Sequence, residues 1–183
     1  MIFKDWNNLP EFMKCDEVRV YYEILKKRKL SLYIKRVFDV VVALMLIIVL
    51  AIPMLIVAIM IKKDSKGPVF YRQERVTAYG KKFKIHKFRT MVSNAEKIGP
   101  TVTMVEDSRI TQVGAKLRRF RIDEFPQIFD VLLGNMSFVG TRPEAVKYVS
   151  QYTNEMIATL LLPAGITSEA SIKYKNEAVL LNK

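Results

Sequence analysis

Residues 40–61 are 22 consecutive positions without a charge, nearly all of them Val, Ile, Leu, Met or Ala. Roughly 20 apolar residues suffice for a helix to cross the hydrocarbon core of a bilayer, so the stretch predicts a membrane-embedded helix. It starts too far into the chain, and runs too long, to be the core of a signal peptide. Hydropathy and length favour the membrane over burial in a soluble core.

The flanks constrain how it sits. Lys26, Lys27, Arg28, Lys29, Lys35 and Arg36 precede the stretch, and Lys62, Lys63 and Lys66 follow it. Positive residues favour the cytoplasmic side, and here both ends carry them. Pro53, near the middle, removes one helix hydrogen bond and bends the axis. The limb from Val40 to Ile52 rises only ~20 Å, short of a ~30 Å core. Two limbs broken at Pro53 would form a re-entrant hairpin that enters and leaves by one face. A kinked span is the other reading, because membrane helices tolerate proline. Charge symmetry and the proline position favour re-entry.

The net charge is +12, from 30 basic and 18 acidic residues. By segment it is +4 over 1–36, −1 over 37–61, +8 over 62–98 and +1 over 99–183. The excess therefore flanks the apolar stretch and points to an anionic partner: nucleic acid, an anionic membrane surface or a phosphorylated substrate. Half the residues are apolar, which excludes a disordered tail, and the single Cys15 excludes a disulfide scaffold. A chain of 183 residues suits one domain. We divide it into a polar and basic lead-in over 1–36, the membrane helix over 37–61 and a cytosolic part over 62–183. In the lead-in, Val18 to Tyr33 mixes apolar and basic side chains, a pattern that fits a membrane interface and equally a solvated helix.

After the turn signal Lys66-Gly67-Pro68, residues 69–75 and 82–88 read as two short strands joined through Gly80. Together they predict a small hairpin with a basic face, suited to lipid headgroups or to a phosphorylated substrate. Phe125, Ile128, Phe129, Leu132 and Leu133 recur at helical spacing and predict a short amphipathic helix closed by Gly134. Asp123 is the expected N-cap, with Pro126 in the first turn. This sets Asp123-Glu124 at a helix start, just after Arg118, Arg119 and Arg121. Such a setting binds phosphates and keeps a carboxylate ionised as a nucleophile, and adjacent carboxylates can hold a magnesium ion. A capping Asp with surface salt bridges is the plainer reading. The stretch Met136 to Glu144 reads either as a rigid loop presenting Arg142 to an anion or as a simple connection. His86, among lysines, is expected to pack or hydrogen-bond. There is no Gly-x-Gly-x-x-Gly, P-loop, His/Cys metal spacing or Gly-x-Ser-x-Gly, and no nucleic-acid motif.

Five motifs in order resemble the bacterial sugar transferase family, the monotopic phosphoglycosyl transferases. They are Lys35-Arg36-x-x-Asp39, Gly67-Pro68-Val69-Phe70-Tyr71-Arg72-Gln73, the run from Phe83 to Met91, Ile122-Asp123-Glu124-Phe125-Pro126-Gln127 and the run from Gly134 to Glu144. The resemblance covers roughly residues 33–175. It implies an α+β, mainly helical fold with a re-entrant membrane helix, a small basic hairpin and interfacial helices. It implies transfer of a sugar 1-phosphate from a UDP-sugar to a polyprenyl (undecaprenyl) phosphate, with release of UMP, at the cytoplasmic face of the cell membrane. Under it Asp123 is the nucleophile that forms a covalent phosphosugar intermediate, Glu124 holds Mg²⁺, and Lys87, Arg118 and Arg142 contact the substrates. Membrane lipids are expected partners, nucleic acid is not, and the oligomeric state stays open.

The sequence departs from the family pattern in places. Ile52 stands where Ser usually precedes Pro53, and Thr141 replaces the first Pro of Pro-Arg-Pro. Lys173-Tyr174-Lys175 stands where Asn-Gly-Arg often follows Gly-Ile-Thr. Relatives usually continue past the position of Lys183, so the family's C-terminal helices are expected to be missing. The competing readings are an inactive or truncated relative, which the intact Asp123-Glu124 pair opposes, and a basic membrane-anchored module that binds anionic lipid.

Overall fold

The apolar stretch forms the middle of one long helix. The computed structural model describes residues 3–95, 107–168 and 172–173; Tyr174 and Lys175 lie outside them. A first helix, α1 (Asp16–Lys26), precedes α2 (Lys29–Asp64), whose 36 residues rise roughly 54 Å. One stripe of α2 packs inward: Asp39, Ala43, Leu46, Ile47, Leu50, Met54, Val57 and Ile61. Their three- and four-residue steps are those of one helix face. On the opposite face Val41, Leu44, Ile48, Ile52, Leu55 and Ile59 are exposed, all of them apolar.

The sequence predicts a break at Pro53, but α2 is helical on both sides of it and continuous through it. Proline removes a single N–H donor. Leu50 and Met54 on either side still pack against the rest of the protein, in phase, and Pro53 itself lies on the exposed face. The two limbs rest on different clusters.

Each end of α2 is clamped by an arginine. Arg36 donates to the carbonyls of Val131 and Leu132, at 2.6 and 3.0 Å. One turn on, the buried Asp39 accepts from the Ser137 hydroxyl at 2.7 Å and the Phe138 N–H at 3.4 Å. Lys35 bonds both Asp39 and Ser137. At the far end Arg89 donates to the carbonyls of Ser65 (2.7 Å), Lys66 (2.9 Å) and Ile61 (3.4 Å). The Lys35-Arg36-x-x-Asp39 motif is thus a mount for the helix.

The hairpin forms where alternation places it. Strands β1 (Phe70–Val76) and β2 (Lys82–Phe88) pair antiparallel, from Phe70 opposite Phe88 to Val76 opposite Lys82. Tyr79 and Gly80, both at positive φ, turn the chain between them. Phe83 and Ile85 face Ala43 of α2, while Phe88 packs with Ile61 and with Leu117 of α3 (Gln112–Arg119). Inside α3, Gly114 lies against the Thr90 carbonyl so closely that a Cβ would collide with it.

Helix α4 runs over Gln127–Leu132, and here the structure corrects the expected cap. Asp123 lies in a separate 3-10 turn, Ile122–Glu124, and Pro126 occupies the N-cap position without a side-chain bond. Arg121 at φ 55° turns the chain sharply out of α3 and forces this extra turn. The carboxylate pair is therefore not used in capping α4.

A second sheet was not legible in the sequence. Strand β3 (Met136–Val139) pairs parallel with β4 (Ala164–Thr167). Between them lie the short helices α5 (Val146–Val149) and α6 (Asn154–Ile157) and a 3-10 turn, Ala158–Leu161. The lead-in belongs to the same packed body. Val18 and Tyr22 of α1 are buried with Leu9, Met13, Val76, Leu160 and Leu161, while Val20 and Ile24 stay exposed on the other face.

Candidate active site

Lys87 shares the parity of Phe83 and Ile85 on β2, so its side chain turns inward to the 3-10 turn that carries Asp123 and Glu124. Its ammonium lies 2.8 Å from Glu124 Oε1. Arg142, in the loop after β3, reaches the same oxygen at 3.3 Å. Arg118, at the end of α3, donates from Nε to the Thr90 hydroxyl at 2.8 Å and faces Asp123 electrostatically. All five residues singled out in the sequence as site candidates thus meet in one place, contributed by β2, α3, the 3-10 turn and the β3 loop. Pro53, singled out for the membrane break, is not among them.

The two carboxylates are driven apart. Burial pushes the Asp123 carboxyl above its usual range; Lys87 and Arg118 oppose that, and the neighbouring Glu124 charge adds to it. Burial would raise Glu124 as well, but Lys87, Arg142 and Arg121 together outweigh it and hold Glu124 below its usual range. Two adjacent acids with opposite shifts suit two roles: one stays ionised among cations, the other is a poorly solvated and hence more reactive oxygen. Arg121, left-handed next to the pair, is a strained residue of the kind that clusters at functional sites.

Among the described residues no three His, Cys, Asp or Glu side chains gather as a metal site. Magnesium does not need such a cage. It keeps several waters and is commonly bound by one or two carboxylates together with substrate phosphates. The Asp123-Glu124 pair fits a metal that arrives with a diphosphate, and it does not fit a resident structural ion.

His86 hydrogen-bonds as expected, but its partner Asp130, and Thr90, were missed in the sequence. The His86 ring Nδ1 lies 2.9 Å from Asp130 Oδ1, and the His86 N–H donates to Asp130 Oδ2 at 2.8 Å. Asp130 is fully buried, so this pair fixes β2 one residue before Lys87. An acid within the apolar periodicity of α4 was the available signal, because a buried carboxylate requires partners. Thr90, which holds Arg118, gave no local signal beyond its place beside Arg89.

A family model described as "Bacterial sugar transferase" matches residues 30–183. A Bacillus subtilis protein provisionally named an undecaprenyl-phosphate N-acetylgalactosaminyl 1-phosphate transferase is 43% identical over 136 residues, covering 74% of this chain and 75% of that protein. The UDP-N-acetylgalactosamine-undecaprenyl-phosphate N-acetylgalactosaminephosphotransferase of Aeromonas hydrophila is 42% identical over 124 residues, 68% of this chain and 29% of its own. The UDP-glucose:undecaprenyl-phosphate glucose-1-phosphate transferase of Klebsiella pneumoniae is 37% identical over 160 residues, 84% of this chain and 34% of its own. The chain therefore spans three quarters of the Bacillus relative and about a third of the other two. Matched over most of its length, with the acid pair and its cations assembled beside a membrane-type helix, the chain belongs to the bacterial sugar transferase family and is, with it, an enzyme.

Proposed function

We propose that this chain transfers a sugar 1-phosphate from a UDP-sugar to undecaprenyl phosphate at the cytoplasmic membrane face, releasing UMP. The observation that carries the reading is the convergence of Lys87, Arg118 and Arg142 on an acid pair whose two members are shifted in opposite directions.

The Asp123 carboxylate attacks the phosphorus that bears the sugar. The new bond is an acyl phosphate; the bond that breaks joins this phosphorus to the bridging oxygen, whose electron pair leaves with UMP. A phosphate oxygen of the lipid then attacks the same phosphorus and Asp123 departs, leaving a lipid diphosphate sugar. Both steps bring anion to anion, so cations at the site supply most of the barrier lowering. Lys87 and Arg142 neutralise Glu124 and the phosphates near it, and Arg118 sits beside the nucleophile. Mg²⁺, held by Glu124 and the donor's phosphates, would add charge neutralisation at the diphosphate.

The two clamps support the membrane reading. Arg36 and Arg89 tie both ends of the apolar stretch to one folded body. A polar body cannot follow a helix through the bilayer, so both ends lie on one side, and the basic flanks make that side cytoplasmic. This is a monotopic arrangement, with the exposed apolar face of α2 in lipid.

The test is UMP release by detergent-purified protein supplied with Mg²⁺, undecaprenyl phosphate and a panel of UDP-sugars. Release with one donor, abolished in Asp123→Asn, is the expected result. Equal release by Asp123→Asn would remove the covalent route.

A further inference from the structure

A cavity of about 580 Å³ lies between α1, the first turns of α2 and the β3–β4 sheet. Its volume is within the usual range for small-molecule sites. Tyr21, Ile24 and Leu25 of α1 form one wall, with Leu32 of α2, Val139 of β3 and Met156 of α6 opposite. Phe3, Tyr21, Ile24 and Leu25 precede residue 30, where the family match begins, so this wall lies outside the matched segment.

The chemistry of the lining selects its occupant. Lys35 and Arg36 reach the cavity, but Lys35 is bonded to Asp39 and Ser137 and Arg36 to two main-chain carbonyls. Glu155, the one acid in the lining, accepts from the Tyr21 hydroxyl at 3.1 Å. The cavity's charges are thus already partnered, which leaves apolar wall for an uncharged chain and no provision for a charged headgroup. One side includes Leu32, close to where α2 enters lipid; another includes Gly140 and Thr141, and Thr141 adjoins Arg142, whose guanidinium meets Glu124.

We propose that this cavity holds the hydrocarbon chain of the lipid acceptor, with the acceptor's phosphate at Arg142. The N-terminal segment is then a specificity element for chain length. This rests on the acceptor being a polyprenyl phosphate, as proposed above, and it places the isoprene units beyond the first two between α1 and β3.

The test compares undecaprenyl phosphate with geranyl phosphate as acceptors, using full-length protein in detergent. Ile24→Trp and Met156→Trp fill the cavity from half-exposed positions, where a larger side chain need not disturb the core. We expect KM for undecaprenyl phosphate to rise about tenfold or more in either variant, since loss of contact with two methylenes is already worth about that factor. The KM for geranyl phosphate should change less, and UMP release in the absence of acceptor should not change. Circular dichroism checks folding, and Ile24→Ser, which removes apolar wall without bulk, replaces any variant that fails it. Label transfer from a diazirine-bearing undecaprenyl phosphate to α1, competed by undecaprenyl phosphate and not by phosphatidylglycerol, gives a readout independent of turnover. Unchanged KM for the long acceptor, or label competed equally by phosphatidylglycerol, overturns the proposal. Wild-type protein that releases no UMP with any donor would instead remove the proposed reaction, and the label-transfer arm would still decide the cavity.

Discussion

At the ends of α2, Arg36 and Arg89 reach main-chain carbonyls, which are fixed and neutral. At the acid turn, Lys87 and Arg142 reach a single carboxylate oxygen, and Arg118 faces another carboxylate. The first set holds two parts of the fold together through groups whose charge never changes. The second crowds cations around acids, from which the diphosphate of the proposed donor would draw them. Net charge describes both regions alike; only the partner distinguishes a clamp from a phosphate site.

The comparison breaks most sharply at Asp123, the proposed nucleophile. Asp123→Asn should lower sugar-phosphate transfer at least about a thousandfold, read as UMP release, with the protein still folded. Arg142→Ala should cost roughly a hundredfold in kcat/KM and leave the melting temperature nearly unchanged, because its side chain is half exposed. The clamps should behave in reverse. Arg36→Ala or Arg89→Ala should destabilise by about 2 kcal/mol in thermal or denaturant unfolding, since each removes two or three charge-assisted hydrogen bonds that tie α2 to the rest of the fold. If Arg89→Ala melts like the parent and only activity falls, the clamp belongs to the site and the distinction fails.

The smallest effects concern the two acids themselves. The folded-state pKa of Asp123 lies above its unfolded value, so its favourable contribution is present at low pH and is lost as pH rises through the raised pKa. Asp123→Asn should therefore melt slightly higher than the parent at neutral pH, and the gap should close in acid. Glu124 is lowered, so its contribution is present above the ordinary glutamate range and is lost as pH falls through the lowered value. Glu124→Gln should melt lower at neutral pH. Paired melting curves across pH check both signs. The acid limb of the transfer rate should also lie above the usual range for an aspartate, because Asp123 as the proposed nucleophile must be ionised.

Local chemistry explains what the sequence allowed us to read. The hairpin was visible because seven-residue strands alternate and Gly80 supplies the turn. The acid pair and its cations lie in compact motifs, so their meeting could be expected. The β3–β4 pairing could not: four-residue strands in parallel, joined through two short helices, carry too little periodicity to detect. Asp123 was misplaced as a cap because a carboxylate before an apolar run looks the same whether or not a left-handed arginine inserts a turn ahead of it. At Pro53, where the sequence suggests a break, α2 stays helical with Leu50 and Met54 packed on either side, an arrangement that accommodates a bent axis.

The contact of Gly114 with Thr90 carries a genetic consequence. Thr90 receives α3 through its carbonyl at Gly114 and, one turn later, Arg118 through its hydroxyl. Any other residue at 114 must lift the helix away from that strand end and carry Arg118 with it, while Asp123, Glu124 and the mount of α2 stay as they are. Alanine at this one position would make a hypomorph: an allele that accumulates, reaches the membrane and turns over slowly. Its turnover would be expected to fall most steeply at high temperature, when the displaced helix is least well held.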